Sequence, residues 1–263
     1  MSKKALCIGI NDYPGTQNDL SGCVNDANDW AAELTGRGYT VNKLIDAQAS
    51  LGAMTAAFQQ FIGSAVSGDT LIITYSGHGT WVPDSSGDEP DGRDEGLCPW
   101  DIGSAGPLLD DQIRSLFSQR AAGVRIVLIS DSCHSGSVTR GDDSDLDPGA
   151  ARARFLPLEA WMSAAELPSP GKRPPGLISG LRRSGGDLLL AGCLDTQYSW
   201  DTSFKGRPNG AFTYYALKTL RENKPTTYAA WFNAIRTYLP TTHLPQDPQI
   251  LGSATAQRFK VFE

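Results

Sequence analysis

Thr70-Leu71-Ile72-Ile73-Thr74-Tyr75 runs straight into Ser76-Gly77-His78-Gly79, and Arg125-Ile126-Val127-Leu128-Ile129-Ser130 runs straight into Asp131-Ser132-Cys133-His134-Ser135-Gly136. Both leading runs are short, rich in Leu, Ile and Val, and almost wholly apolar. That is the pattern of strands buried on both faces of a sheet. Working outward, Lys4 to Ile10, Thr40 to Ile45 and Asp187 to Gly192 repeat it, and Pro248 to Leu251 offers a last edge strand. Helix-like segments lie between and after them: Cys23 to Thr35, Leu51 to Val66, Leu108 to Gln119, Gly210 to Arg221 and Thr226 to Tyr238. Strand alternating with helix predicts right-handed crossovers. The expected fold is α/β, a three-layer α/β/α sandwich with a mostly parallel central sheet of about six strands.

In such a sheet, ligands bind outside the carboxyl ends of the strands. His78 and Cys133 each follow a strand, so both are expected at that edge. A thiolate is a strong nucleophile, and an imidazole can take its proton and later hand it to a leaving amine. The pair reads as a cysteine-histidine hydrolase site. The glycines around His78 let backbone approach a substrate carbonyl, so the amides of Gly79 and Cys133 are candidate oxyanion donors. Gly136 permits a tight exit after the nucleophile.

Bulk properties set the frame. The 263 residues suffice for one large core, with 40% hydrophobic residues and a formal net charge of −6. No block of like charge suggests a nucleic-acid arm, so nucleic acid is not an expected partner. Five cysteines, Cys7, Cys23, Cys98, Cys133 and Cys193, form no C-x-x-C pair, and an odd count argues against a disulfide framework. No stretch has the length of a membrane span, and the apolar run Ala5 to Ile10 is short for a secretory segment. The expected location is cytoplasmic.

Two insertions interrupt the strand-helix rhythm. Gly79 to Pro107 carries Asp84, Asp88, Glu89, Asp91, Asp94 and Glu95 against Arg93. Thr139 to Gly186 is rich in Pro, Gly and Ser and holds Arg140, Arg152, Arg154, Lys172, Arg173, Arg182 and Arg183. A segment of that length inside a domain is more often functional or flexible than misassigned. The chain is read as a single domain, 1–263, with 139–186 as a linker between a larger part, 1–138, and a smaller one, 187–263.

The run of motifs resembles the metacaspases and their prokaryotic counterparts, the orthocaspases, within the caspase-like cysteine peptidases. Tyr75 to Gly79, the stretch Gly87 to Asp101, Leu109-Asp110-Asp111 and Asp131 to Gly136 occur in that family's order, and the likeness extends from Ala5 to Thr213. True caspases differ, their nucleophile lying in a Q-A-C-x-G motif. The resemblance implies Cys133 as nucleophile and His78 as general base and acid. It implies Asp131 and Asp26, with Cys23 and Ser76 beside them, in the pocket for the residue before the cut.

Two carboxylates there favour the forked guanidinium of Arg, and secondarily Lys. The resemblance further implies cleavage of the chain's own second insertion, a monomer, and no cofactor for the chemistry. Calcium is implied as an activator, through Asp94, Asp110 and Asp111. The family's fourth acidic position is Arg140 here, with Asp142 and Asp143 close by in sequence. Protein or peptide substrates with Arg or Lys at the cleavage position are the expected partners.

Other readings stand beside this one. A catalytically latent caspase-like interaction module in a stress or defence pathway would keep the fold without the chemistry. A flavodoxin-type nucleotide binder would need a glycine-rich loop after the first strand, where Asn11-Asp12-Tyr13-Pro14 stands instead. His134 is read as structural, Trp200 and Asp201 as a wall of the groove or as packing, and the aromatic residues from Phe212 to Phe232 as core.

Overall fold

The strand β1 (Lys3–Gly9) sends Leu6 and Ile8 into one core and Ala5 and Cys7 into another, as the two-residue repeat of an extended chain requires. The computed structural model describes residues 2–84, 92–134, 151–167, 187–194 and 197–263. In chain order β1 is followed by α1 (Cys23–Gly36), β2 (Thr40–Ile45), α2 (Leu51–Gly63), β3 (Thr70–Ser76), β4 (Gly79–Pro83), β5 (Arg93–Leu97), α3 (Ile102–Ala105) and β6 (Leu108–Leu109). Then come α4 (Asp110–Ser118), β7 (Arg125–Asp131), β8 (Arg152–Ala153), β9 (Leu188–Ala191), β10 (Trp200–Phe204) and β11 (Arg207–Gly210). The chain closes with α5 (Ala211–Asn223), α6 (Tyr228–Ile235), β12 (Gln249–Leu251) and α7 (Ala254–Gln257).

Six strands form the central sheet in the order β12-β9-β7-β3-β1-β2, all parallel except the edge strand β12, which runs antiparallel to β9. One face packs Leu6, Ile8, Leu71, Ile73, Ile126 and Leu128 against Met54, Phe58 and Phe61 of α2 and Ile113 and Phe117 of α4. The other packs Ala5, Cys7, Ile72, Val127 and Ile129 against Trp30 of α1, Phe212 of α5 and Trp231 of α6. The three-layer α/β/α sandwich with a six-stranded, mostly parallel sheet is therefore the fold. Neighbouring β3 and β7 run in one direction with Ser76 opposite Asp131, so their carboxyl ends finish level. That register delivers both motif loops to one point.

Three expected boundaries shift. Leu108 and Leu109 were expected to open a helix; they pair with Leu97 and Gly96 of β5 instead, and the helix starts at Asp110. The helix from Leu51 ends at Gly63 rather than Val66, with Val66 left exposed. The helix expected over Thr226 to Tyr238 spans Tyr228–Ile235, capped by the Thr227 side chain, which accepts from the Ala230 amide. The first insertion adds a small antiparallel sheet, β4-β5-β6, and the second contributes β8 to the sheet β11-β10-β8. All five cysteines are free thiols, and among the described residues no helix is long and apolar enough to cross a membrane.

Candidate active site

His78 and Cys133 stand on the loops that leave β3 and β7, and both are buried. The loop at His78 is pinned by phenols. Its amide donates to the Tyr13 hydroxyl at 2.8 Å, and its carbonyl accepts from the Tyr75 hydroxyl at 2.6 Å. The Tyr13 ring lies 4.8 Å from the imidazole. His78 Nε2 lies 2.5 Å from the carbonyl oxygen of Asn18. A carbonyl only accepts, so Nε2 must carry the hydrogen, and the lone pair of the neutral ring resides on Nδ1. Nδ1 is buried with no hydrogen-bond partner.

Burial pushes the His78 imidazole down to about 4 from its ordinary 6.5, against the pull of the Asn18 carbonyl, and it pushes His134 down to about 4 as well. A histidine neutral in the native state and protonated when unfolded stabilises the fold above its unfolded value. That stability is lost as pH falls from about 6.5 towards 4. Asp26 works with the opposite sign over the interval up to about 7, one group against two. Chemical denaturation of the Cys133→Ala protein is therefore expected to show a lower midpoint at pH 5 than at pH 7. Replacing His134 by Gln is expected to flatten that dependence.

His134 Nε2 lies 3.3 Å from the Ser132 hydroxyl. Cys133 Sγ lies against Ser199, accepting from its amide at 2.5 Å and donating to its carbonyl at 3.4 Å. The two expected oxyanion donors converge. Gly79 N and Cys133 N both donate to a single oxygen, the carbonyl of Arg154, at 3.0 and 3.1 Å. A side chain at position 79 would force the loop to shift, since its Cβ would lie 2.0 Å from the Cys133 carbonyl oxygen.

The Arg154 side chain occupies the acidic pocket. It is fully buried, with Nη2 2.7 Å from Asp26 and 2.9 Å from Asp201, and Nη1 3.3 Å from Asp131. Nη1 also donates to the Asp131 carbonyl at 3.1 Å. Each carboxylate has further donors. Asp26 accepts from Asn209 Nδ2 and the Gly210 amide, Asp131 from the Ser199 hydroxyl and the Thr213 amide, and Asp201 from the Ser21 and Gly22 amides. Those amides belong to the starts of α1 and α5, whose positive ends favour anionic groups. Three carboxylates around one guanidinium leave negative charge in excess. Burial, and Asp131 alongside, push the Asp26 carboxyl up to about 7 despite the guanidinium.

Of the residues expected in this pocket, Asp26 and Asp131 touch the guanidinium directly. Cys23 is buried beside them, its thiol pushed up by burial and only partly offset by Arg154. Ser76 is buried in β3, between Gly9 and Asp131 in the register. Asp201, read from sequence as a groove wall or as packing, is a third carboxylate of the pocket. Asn18 was not anticipated, because its contribution is a backbone carbonyl that any residue type supplies.

The acidic positions of the first insertion behave differently. Asp94 on β5 and Asp110 at the start of α4 are buried, whereas Asp111 pairs with Arg114. Among the described residues no group of three or more His, Cys, Asp or Glu side chains comes together to hold a metal ion. Asp88, Glu89, Asp91, Gly136, Arg140, Asp142, Asp143, Lys172, Arg173, Arg182 and Arg183 lie outside the described residues.

Residues 3–141 match the family model described as metacaspase, peptidase C14 domain. The chain belongs to the metacaspase family. This is a family of cysteine-type endopeptidases. The chain is 33% identical to Metacaspase-1 of Cryptococcus neoformans, over 95% of this chain and 62% of that protein. It is 31% identical to Metacaspase-1 of Mycosarcoma maydis, over 95% of this chain and 70% of that one. It therefore spans roughly two thirds of the length of these metacaspases. The crystal structure of protein GSU0716 from Geobacter sulfurreducens is also similar, with a TM-score of 0.74 at 28% identity, covering 100% of this chain and 98% of the other.

Proposed function

We propose that this metacaspase hydrolyses peptide bonds after Arg, and secondarily Lys, through a Cys133–His78 dyad and an acyl-enzyme, and that it cuts within its own second insertion. One observation carries the reading: a guanidinium lies among Asp26, Asp131 and Asp201 while the carbonyl oxygen of the same residue receives both Gly79 N and Cys133 N. Recognition and reaction thus fall on consecutive atoms of one arginine. An aspartate in that pocket would meet three carboxylates.

In the reaction, His78 Nδ1 takes the Cys133 proton and Sγ adds to the carbonyl carbon. The oxyanion forms where two amides already point, which stabilises charge as it develops. The imidazolium, steadied by the Asn18 carbonyl on Nε2, then protonates the leaving amine, and water releases the acid from the thioester. Nothing in these steps calls on a metal. Calcium enters the proposal only as an activator acting through Asp94, Asp110 and Asp111.

The same reading has the protein act on polypeptides as a monomer, without nucleic acid or membrane; β12 covers the β9 edge of the sheet, and the net charge of −6 disfavours polyanions. An arginyl chloromethyl ketone is expected to alkylate Cys133, seen as one adduct by intact mass and peptide mapping, with no adduct in Cys133→Ala. An adduct of equal yield from an aspartyl ketone would overturn the specificity. No adduct from either, in a folded protein, would favour the latent interaction module.

A further inference from the structure

We infer that the segment Arg152 to Leu158 is a self-substrate whose leaving-group side is held in the core, so that cleavage of the Arg154–Phe155 bond is reversed by its own tethered amine. The inference rests on the peptidase reading above.

The acyl side of the bond is held by strand addition. Arg152 and Ala153 pair antiparallel with Asp201 and Trp200, and the Arg154 amide donates to the Ser199 carbonyl at 2.9 Å. This is the way extended peptides join an exposed sheet edge. Arg152 is exposed and Ala153 half-buried, so beyond Arg154 the hold on this side is backbone pairing and one surface hydrogen bond, from the Arg152 guanidinium to the Asp19 carbonyl at 2.9 Å.

The leaving side is held more deeply. The Leu156 amide donates to the Gly79 carbonyl at 2.9 Å, and the Thr80 hydroxyl donates to the Leu156 carbonyl at 2.8 Å. Leu156 is fully buried within the core cluster that also holds α2 and α4, and Leu158 is buried just after it. A short helical turn, Leu158–Ala160, and Trp161, packed on the same cluster, fix the chain that follows. None of these contacts involves the scissile bond, so none is lost when it breaks.

The consequence is kinetic. Attack by Cys133 Sγ on the Arg154 carbonyl carbon breaks its bond to the Phe155 nitrogen, and the proton taken from the thiol passes through His78 to that nitrogen. The products are a thioester on Arg154 and an amine on Phe155. In an ordinary substrate the amine diffuses away. Here Leu156 and Leu158 keep it beside the thioester at an effective concentration that a freely diffusing amine cannot reach. The amine re-forms the peptide bond and returns the thiol faster than water hydrolyses the thioester. Cut chain accumulates slowly.

The test uses the wild-type protein and hydroxylamine, a nucleophile small enough to compete for the thioester. Trapping yields an Arg154 hydroxamate and free thiol, and leaves Phe155 as a new N-terminus. The rate at which the Phe155 fragment appears by intact mass spectrometry is expected to rise with hydroxylamine concentration. Leu158→Ala, which loosens the anchor, is expected to raise the rate without hydroxylamine by about tenfold. A cut rate independent of hydroxylamine would overturn reversal, since the amine would then leave like any other. Hydrolysis of arginyl peptides without any cut after Arg154 would also overturn this inference while leaving the peptidase reading intact. Failure of both reactions would remove the two together.

Discussion

Replacing Arg154 with Ala is expected to cost about 3–5 kcal/mol of folding stability at pH 7.5, the loss typical when one partner of a buried ion pair is removed. Asp26, Asp131 and Asp201 are each almost wholly buried, and Arg154 is the cation that touches all three. Without it the Asp26 carboxyl, already pushed up to about 7 by burial, loses the charge that holds it down and rises further. Carboxyls raised above their unfolded values stabilise most when protonated, and that stability is lost as pH rises through the raised value. The deficit should therefore shrink as pH falls from 7.5 towards 5. Agmatine or another alkyl guanidine should restore the melting temperature by filling the pocket, measured by scanning fluorimetry in a Cys133→Ala background. A variant as stable as its parent at pH 7.5, or indifferent to guanidines, would contradict the pocket described.

Gly79→Ala is expected to lower kcat on an arginyl peptide by about 100- to 1000-fold, the loss that follows removal of one oxyanion donor. The added methyl would lie 2.0 Å from the Cys133 carbonyl oxygen and 2.9 Å from His134 Nδ1. Both are backbone or buried neighbours with little room to yield, so the loop must move, and its amide moves with it. The thiol should still react with iodoacetamide, which needs no oxyanion hole. Activity within threefold of wild type would mean that Gly79 N does not serve the reaction.

Much of this architecture was legible in the sequence, because buried parallel strands are apolar throughout and their ends are marked by Gly, Asp and Ser. Reading Thr70 to Tyr75 and Arg125 to Ser130 as adjacent parallel strands placed His78 and Cys133 at one edge, and the register Ser76–Asp131 aligns them. The amides of Gly79 and Cys133 followed from the same reasoning. The strands β4 and β5 were hidden, because Gly79–Pro83 and Arg93–Leu97 carry no apolar alternation and owe their conformation to pairing. Leu108 and Leu109 looked helical because they continue the spacing of Ile113, Leu116 and Phe117, and only the cross-strand partner Gly96 reveals them as extended.

Arg154 illustrates the sharper limit. In the sequence it is one of seven basic residues in an aperiodic insertion, and nothing local separates it from Arg152 or Arg173. What singles it out is long-range: carboxylates supplied by α1, by the end of β7 and by β10, together with two amides aimed at its carbonyl. Asp201 is legible as a pocket carboxylate only once β10 lies beside the start of α1. The Asn18 carbonyl leaves no side-chain signature at all.

The most direct test of the account is fluorophore release from paired peptides ending in Arg and in Asp, by wild type and Cys133→Ala, with and without calcium. The account predicts kcat/KM for Arg above that for Asp by roughly 10 000-fold, the discrimination open to a pocket of buried polar groups that the wrong residue leaves unpaired. It predicts that this activity disappears in Cys133→Ala. Equal turnover of the two peptides, or Arg cleavage that survives loss of the thiol, would contradict it.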